Sequence, residues 1–203
     1  TGALDTSWNP SPNNTVRALA LAGAALHVGG SFQNLGLTPR KYLAAVDLTS
    51  GAPTAWNPNP DNAVWALAVN AGTVYVGGDF TMVDGQARNS AVALSASAAS
   101  AGTYTTAWNP NPGAVASVGG ASTVRALAVQ GERVYVGGVF GVIGRVPRSN
   151  LAAFDAVSGA VLAGWNPGAD NPVEALAVAG NTVYAGGAFT QVGSNVDRRR
   201  LAA

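Results

Sequence analysis

The chain of 203 residues is 48% hydrophobic and only 10% charged, with a formal net charge of +1 and no cysteine. Such a length can bury a true core, but so small a charge gives no field to attract nucleic acid or an anionic membrane. The absent cysteines exclude disulfides, thiolate metal sites and cysteine nucleophiles, and no apolar run approaches the ~18 residues of a membrane helix.

In chain order, residues 1–8 read as a strand ending on Trp8-Asn9-Pro10. Trp-Asn-Pro returns at Trp56, Trp108 and Trp165, each time ahead of a Val-x-Ala-Leu-Ala block. These blocks start at Val16, Val64, Val124 and Val173, and the Gly-Gly-x-Phe that follows begins at Gly29, Gly77, Gly137 and Gly186. The spacing from Val to Gly is identical in all four copies, whereas the spacing between copies varies. That pattern is an internal repeat.

The second copy reads most clearly. Val64–Val69 is an apolar run of strand length, Asn70–Thr73 is a turn, and Val74-Tyr75-Val76 opens a second strand. A constant spacing is what a tight hairpin requires, since a changed loop would exchange the two faces. Gly72, Gly131 and Gly180 offer a positive φ at its turn. A third strand is predicted over 43–47, 151–155 and 201–203, with Ser-Gly at 50–51 and 158–159 turning into a fourth that ends on Trp-Asn-Pro.

Four short strands per repeat, the first two apolar on both faces, predict an all-β protein: a β-propeller of four-stranded antiparallel blades. The blades run about 9–57, 58–109, 110–166 and 167–203 within one array, with the N-terminal strand 1–8 beside them. Three arrangements stay open: a closed four-bladed ring in which strand 1–8 completes the last blade, part of a larger ring, and two chains joined into eight blades. An open edge would invite self-association.

The recurring residues have structural readings. Gly-Gly removes Cβ where a backbone or a large ring must come close, the expected ring being the Trp of the fourth strand. Asn-Pro ends the ladder. Arg40, Arg88, Arg148 and Arg198, ahead of the third strand, are expected to bridge to carbonyls or a neighbouring carboxylate. Asp61, Asp79, Asp84 and Asp170 are expected to hold local backbone groups at turns.

Val-Tyr-Val-Gly-Gly-Asp-Phe at 74–80, Ala-Arg-Asn at 87–89, Leu-Ala-Ala-Val-Asp at 43–47 and Thr-Ser-Gly…Trp at 49–56 resemble bacterial β-propeller repeats of the delta-60 type. The likeness to kelch and quinoprotein blades is more distant. The resemblance implies a large secreted or surface-attached bacterial protein, and no particular reaction. Ligands for the metals and cofactors of kelch and quinoprotein enzymes have no counterpart, so no cofactor or metal is expected. Ser90–Ser95 departs from the third-strand pattern, and insertions lie near 96–104 and 112–122.

His27 is the sole histidine and occupies the slot of Tyr75, Tyr135 and Tyr184, so it reads as a strand residue without catalytic partners. Val118-Gly119-Gly120 lacks the Lys of a phosphate loop, and Arg198-Arg199-Arg200 reads as a solvated turn. One position varies in an informative way. The second residue of the first strand is Arg17, Trp65, Arg125 and Glu174 in successive repeats, which propeller symmetry would gather on one rim. A Trp beside two Arg can stack on a sugar or clamp an anion. The expected function is a non-enzymatic scaffold or adhesion module, with a glycan or another protein as partner. The alternatives are a carbohydrate-active enzyme with a central cleft, or a self-assembling subunit of a ring or filament.

Overall fold

A computed structural model describes residues 2–3, 5–97, 104, 106–110, 122–143, 145–193 and 196–203. Most of both predicted insertions, at 98–103 and 111–121, lies outside these residues, as does Val118-Gly119-Gly120. The first repeat forms β1 (Val16–Ala22), β2 (Ala25–Gly30), β3 (Asn34–Leu35), β4 (Thr38–Pro39) and β5 (Leu43–Asp47). The second forms β6 (Val64–Asn70), β7 (Thr73–Gly78), β8 (Met82–Val83), β9 (Gln86–Ala87) and β10 (Ala91–Ser95). Then come β11 (Thr123–Gln130), β12 (Arg133–Val139), β13 (Val142–Ile143), β14 (Val146–Pro147) and β15 (Leu151–Asp155). The fourth repeat forms β16 (Val173–Ala179), β17 (Thr182–Gly187), β18 (Gln191–Val192), β19 (Val196–Asp197) and β20 (Leu201–Ala202).

Every repeat folds as one small antiparallel sheet, ordered β1-β2-β5, β6-β7-β10, β11-β12-β15 and β16-β17-β20, with a two-stranded hairpin beside it. The predicted hairpin is present in each. Its turn in the second repeat places Ala71 and Gly72 at φ 46° and 75°, the paired left-handed conformation of a type I′ turn. The departure at Ser90–Ser95 does not disturb the third strand: β10 keeps full pairing with β7, and Ala91 to Leu94 are buried.

Two expectations need correction. The fourth strand of a blade is not a full strand. It is a short edge segment that makes two backbone bonds, Asp47 to Ala52 and Thr54 to Ala45 in the first repeat, Asp155 to Ala160 and Leu162 to Ala153 in the third. Pro53 lies inside that segment and has no N–H to extend the ladder. Nor do the described residues within 1–8 form a strand. The Asp5 carboxylate takes the N–H and hydroxyl of Ser7 at 2.9 and 2.6 Å, where the chain bends.

The sheets pack in sequence, with β1 against β6, β6 against β11 and β11 against β16. Gly-Gly explains why. A Cβ on Gly29, Gly77 or Gly137 would run into the Cγ1 of Val64, Val124 or Val173, the first apolar residue of the next sheet. A Cβ on Gly30, Gly78, Gly138 or Gly187 would run into the carbonyl of Thr15, Ala63, Thr123 or Pro172, where the chain enters its own sheet. The glycines therefore make room for a valine on one side and, as expected, backbone on the other; the ring that comes close, at Gly78, is Phe80 and not a tryptophan. Trp56 and Trp108 do bridge consecutive sheets, but elsewhere: Trp56 meets His27 edge-on and donates its indole N–H to Ser95 at 2.9 Å. Trp108 likewise meets Tyr75 and donates to Asp155 at 2.9 Å. The core lies in these joints. Val64, Val74 and Val76 cluster with Leu43 and Ala45 of the preceding sheet, and Val124, Val134 and Val136 with Tyr75, Ala91 and Ala93.

Candidate functional site

The first strand of each sheet carries a β-bulge after its opening valine. Val16 pairs with Gly30 and Ala18 with Gly29, leaving Arg17 as the extra residue. Trp65, Arg125 and Glu174 are the extra residues in the other three. A bulge bends its strand and re-aims one side chain. The repeat therefore releases one position per sheet from the alternating pattern, and it is the position that varies.

These four side chains touch in order across all four sheets. The Arg17 guanidinium lies 3.9 Å from the centre of the Trp65 ring, and that of Arg125 lies 5.9 Å from it. Arg125 in turn forms an ion pair with Glu174. Each contact crosses a joint between consecutive sheets, so the rim is a continuous strip of guanidinium, indole, guanidinium and carboxylate.

Three further residues, which the sequence reading did not place here, hold the strip. Asp79 receives the Trp65 indole N–H and the Thr123 hydroxyl, both at 2.7 Å, tying the second sheet to the third. Ser31 accepts from Arg17 Nε at 3.3 Å. Ser31 and Asp79 both follow Gly-Gly, so the residue after the glycines faces the bulge. That correspondence was available in the repeat, because both positions sit at the same register. Asp79 is thus a bridge between sheets, not a local turn residue.

The remaining acidic and basic candidates have structural tasks. Asp61 accepts from the N–H groups of Thr81 and Met82 at 2.7 and 3.0 Å, and Asp170 from those of Thr190 and Gln191 at 2.8 and 3.0 Å. Asn13 does the same for Gln33 and Asn34. These partners lie about twenty positions away, so the bonds pin each small hairpin to the start of its sheet and are not local. Hydrogen bonds from Thr190 and Gln191 hold the Asp170 carboxyl down to about 2. Asp84 accepts from the Tyr104 N–H at 3.2 Å. The arginines do reach carbonyls: Arg40 bonds Pro39 and Thr54, and Arg148 bonds Pro147 and more distantly Leu162. Arg88 bonds Ala87 and the Gln86 side chain, and Arg198 bonds Asp197. Arg198, Arg199 and Arg200 are exposed. Among the described residues, no group of three His, Asp or Glu is placed to hold a metal ion.

A scan against protein-family models finds no match, and neither does a search of the curated proteins. Solved structures do match. The computationally designed Ika4 protein aligns at a TM-score of 0.58 and 17% identity, over 91% of this chain and 92% of its own. The designed Ika8 protein aligns at 0.53 and 19% identity, over 90% of this chain but 47% of its own. The extracellular domain of BT4673 from B. thetaiotaomicron aligns at 0.54 and 18% identity, over 87% of this chain and 21% of its own. At such identities the likeness is one of fold. The protein is an all-β, propeller-like assembly of small antiparallel sheets. It spans about half of Ika8 and about a fifth of the BT4673 domain.

Proposed function

We propose that this chain is a non-enzymatic binding module of the delta-60 propeller type, carried by a secreted or surface-attached bacterial protein as a scaffold or adhesion surface. The observation that carries the reading is the rim strip Arg17–Trp65–Arg125–Glu174, formed at the one position per sheet that the bulge frees from packing. An indole edge flanked by guanidinium groups suits a sugar bearing a carboxylate or sulfate, which would exchange the Glu174 partner of Arg125 for its own anion. Cell-surface location is supported by the fold likeness to one extracellular domain, and no described helix is long and apolar enough to cross a membrane.

The enzymatic alternative requires a carboxyl group raised toward neutrality to act as a general acid. Asp47, Asp155 and Asp170 are all shifted the other way, by hydrogen bonds from Ser50, Ser158 and Thr190. Those three carboxyls are held as anions and are unsuited to that role. A glycan array probed with the labelled chain tests the binding reading. Binding of acidic oligosaccharides that falls at least about tenfold in Trp65→Ala is expected. Affinity for every retained glycan unchanged in that variant would overturn the assignment.

A further inference from the structure

The arc of sheets ends in two open faces, and they carry the two halves of one joint. On the fourth sheet the space over Gly186 is empty: the nearest atoms to a Cβ there are 3.8 Å away, where Gly29, Gly77 and Gly137 each meet a valine. Around it Tyr184 is 43% and Leu201 68% exposed, although their counterparts Tyr75 and Leu151 are buried. On the first sheet Val16 has no glycine to enter, and Leu19 and Leu21 are 59% and 62% exposed. Leu67 and Leu176, at the register of Leu19, pack over Gly29 and Gly137. The tryptophan of the joint is present too. Trp8 sits on the first sheet with its indole N–H on the Asp47 carbonyl at 3.2 Å, as Trp56 and Trp108 sit on the second and third.

We infer that the open face of the fourth sheet takes the first sheet of a second copy of this chain, with Val16 over Gly186 and Trp8 against Tyr184. Two such joints close a ring of eight sheets from two chains. The faces are complementary and not self-matching, so the contact is head-to-tail, and such contacts close into rings when the rotation per joint allows. One observation favours a second copy over closure of the chain on itself. The two faces are exposed together, so they do not meet within one chain. This inference stands apart from the rim and does not depend on its ligand.

The test is solution mass by sedimentation velocity across micromolar concentrations. The expected species has twice the 20.2 kDa mass of the chain. Gly186→Val should return it to single-chain mass while the circular dichroism of the folded chain is kept, because a Cβ there comes no closer than 3.8 Å to its surroundings in the isolated chain. Leu19→Glu should do the same from the other face, without touching a glycine. A single-chain mass for the unmodified protein overturns the inference, whether it reflects closure on itself or a different protein as natural occupant. So does a mass of three or more chains, or a double mass that survives both substitutions.

Discussion

The imidazole of His27 meets the indole of Trp56 edge-on across the joint between the first and second sheets, ring centroids 4.5 Å apart and planes at 86°. Tyr75 makes the same contact with Trp108 one joint later, at 5.3 Å and 81°. The difference lies beyond the ring. The Tyr75 hydroxyl donates to the Ala156 carbonyl at 3.0 Å, but His27 is fully buried and neither of its nitrogens has a partner.

Burial without a partner disfavours the imidazolium and pushes the His27 pKa from 6.5 down to about 4. Between those values the unfolded chain binds a proton that the folded chain does not. Stability is therefore full above pH 6.5 and falls as the pH drops toward 4, by up to about 3 kcal/mol from this residue. His27→Tyr should remove that slope, and its hydroxyl, directed at the Ala96 carbonyl, should add about 1 kcal/mol at neutral pH. Urea denaturation of both proteins at a series of pH values measures the difference. Parallel pH profiles would contradict it.

The joint glycines make a second prediction. Gly137→Ala forces a methyl group against Val173 and should cost about 1–3 kcal/mol. Adding Val173→Ala should recover part of that loss, since the obstructing Cγ1 is gone. Gly138→Ala faces the Thr123 carbonyl, and no side-chain truncation can relieve it. A double-mutant cycle in thermal denaturation reads the coupling, which should be clear for the first pair.

On the rim, Trp65→Phe keeps an aromatic face for Arg17 but deletes the hydrogen bond to Asp79. A bond to a charged acceptor is worth about 1.5–3 kcal/mol, and a loss toward the lower end is expected at this half-buried site. Glu174→Gln should cost less than about 1 kcal/mol, and high salt should erase even that, because the Arg125–Glu174 pair is substantially exposed. Calorimetric melting temperatures at low and high ionic strength separate the two effects.

Asp170 is held as a carboxylate by the Thr190 hydroxyl and two backbone N–H groups, so its contribution is present above its ordinary pKa and is lost as the pH falls toward 2. Asp170→Asn should lower neutral-pH stability, because the amide keeps the two N–H bonds that Asn13 makes in the first repeat but lacks the charge that strengthens them, and it should flatten the decline in strong acid. Asp170→Ala should lower the melting temperature at every pH. Acid titrations followed by circular dichroism report both.

Much of the site was legible in sequence. The four variable residues were found because the Val-x-Ala-Leu-Ala block fixes the residues on either side of them. The bulge that places them was also encoded. Val64 and Leu67 face the same neighbouring sheet although they stand three apart, which an unbroken alternation of faces forbids. The edge segment was overrated as a strand, because the turn and Trp-Asn-Pro around it carried more signal than its own bonding capacity. The partners of Asp61, Asp79 and Asp170 were misjudged as local, since sequence spacing says nothing about a loop folding back some twenty residues.

The amino-acid order alone determined that four equivalent all-β units exist, where each hairpin turns and which position of the Val-x-Ala-Leu-Ala block varies, because register and periodicity are properties of the chain. Only the tertiary structure decided what each glycine makes room for, that Arg17, Trp65, Arg125 and Glu174 touch in sequence, and that Gly186 is left uncovered. Those facts belong to joints between sheets. Joints are set by how neighbouring surfaces fit, and a single strand's composition does not contain its neighbour.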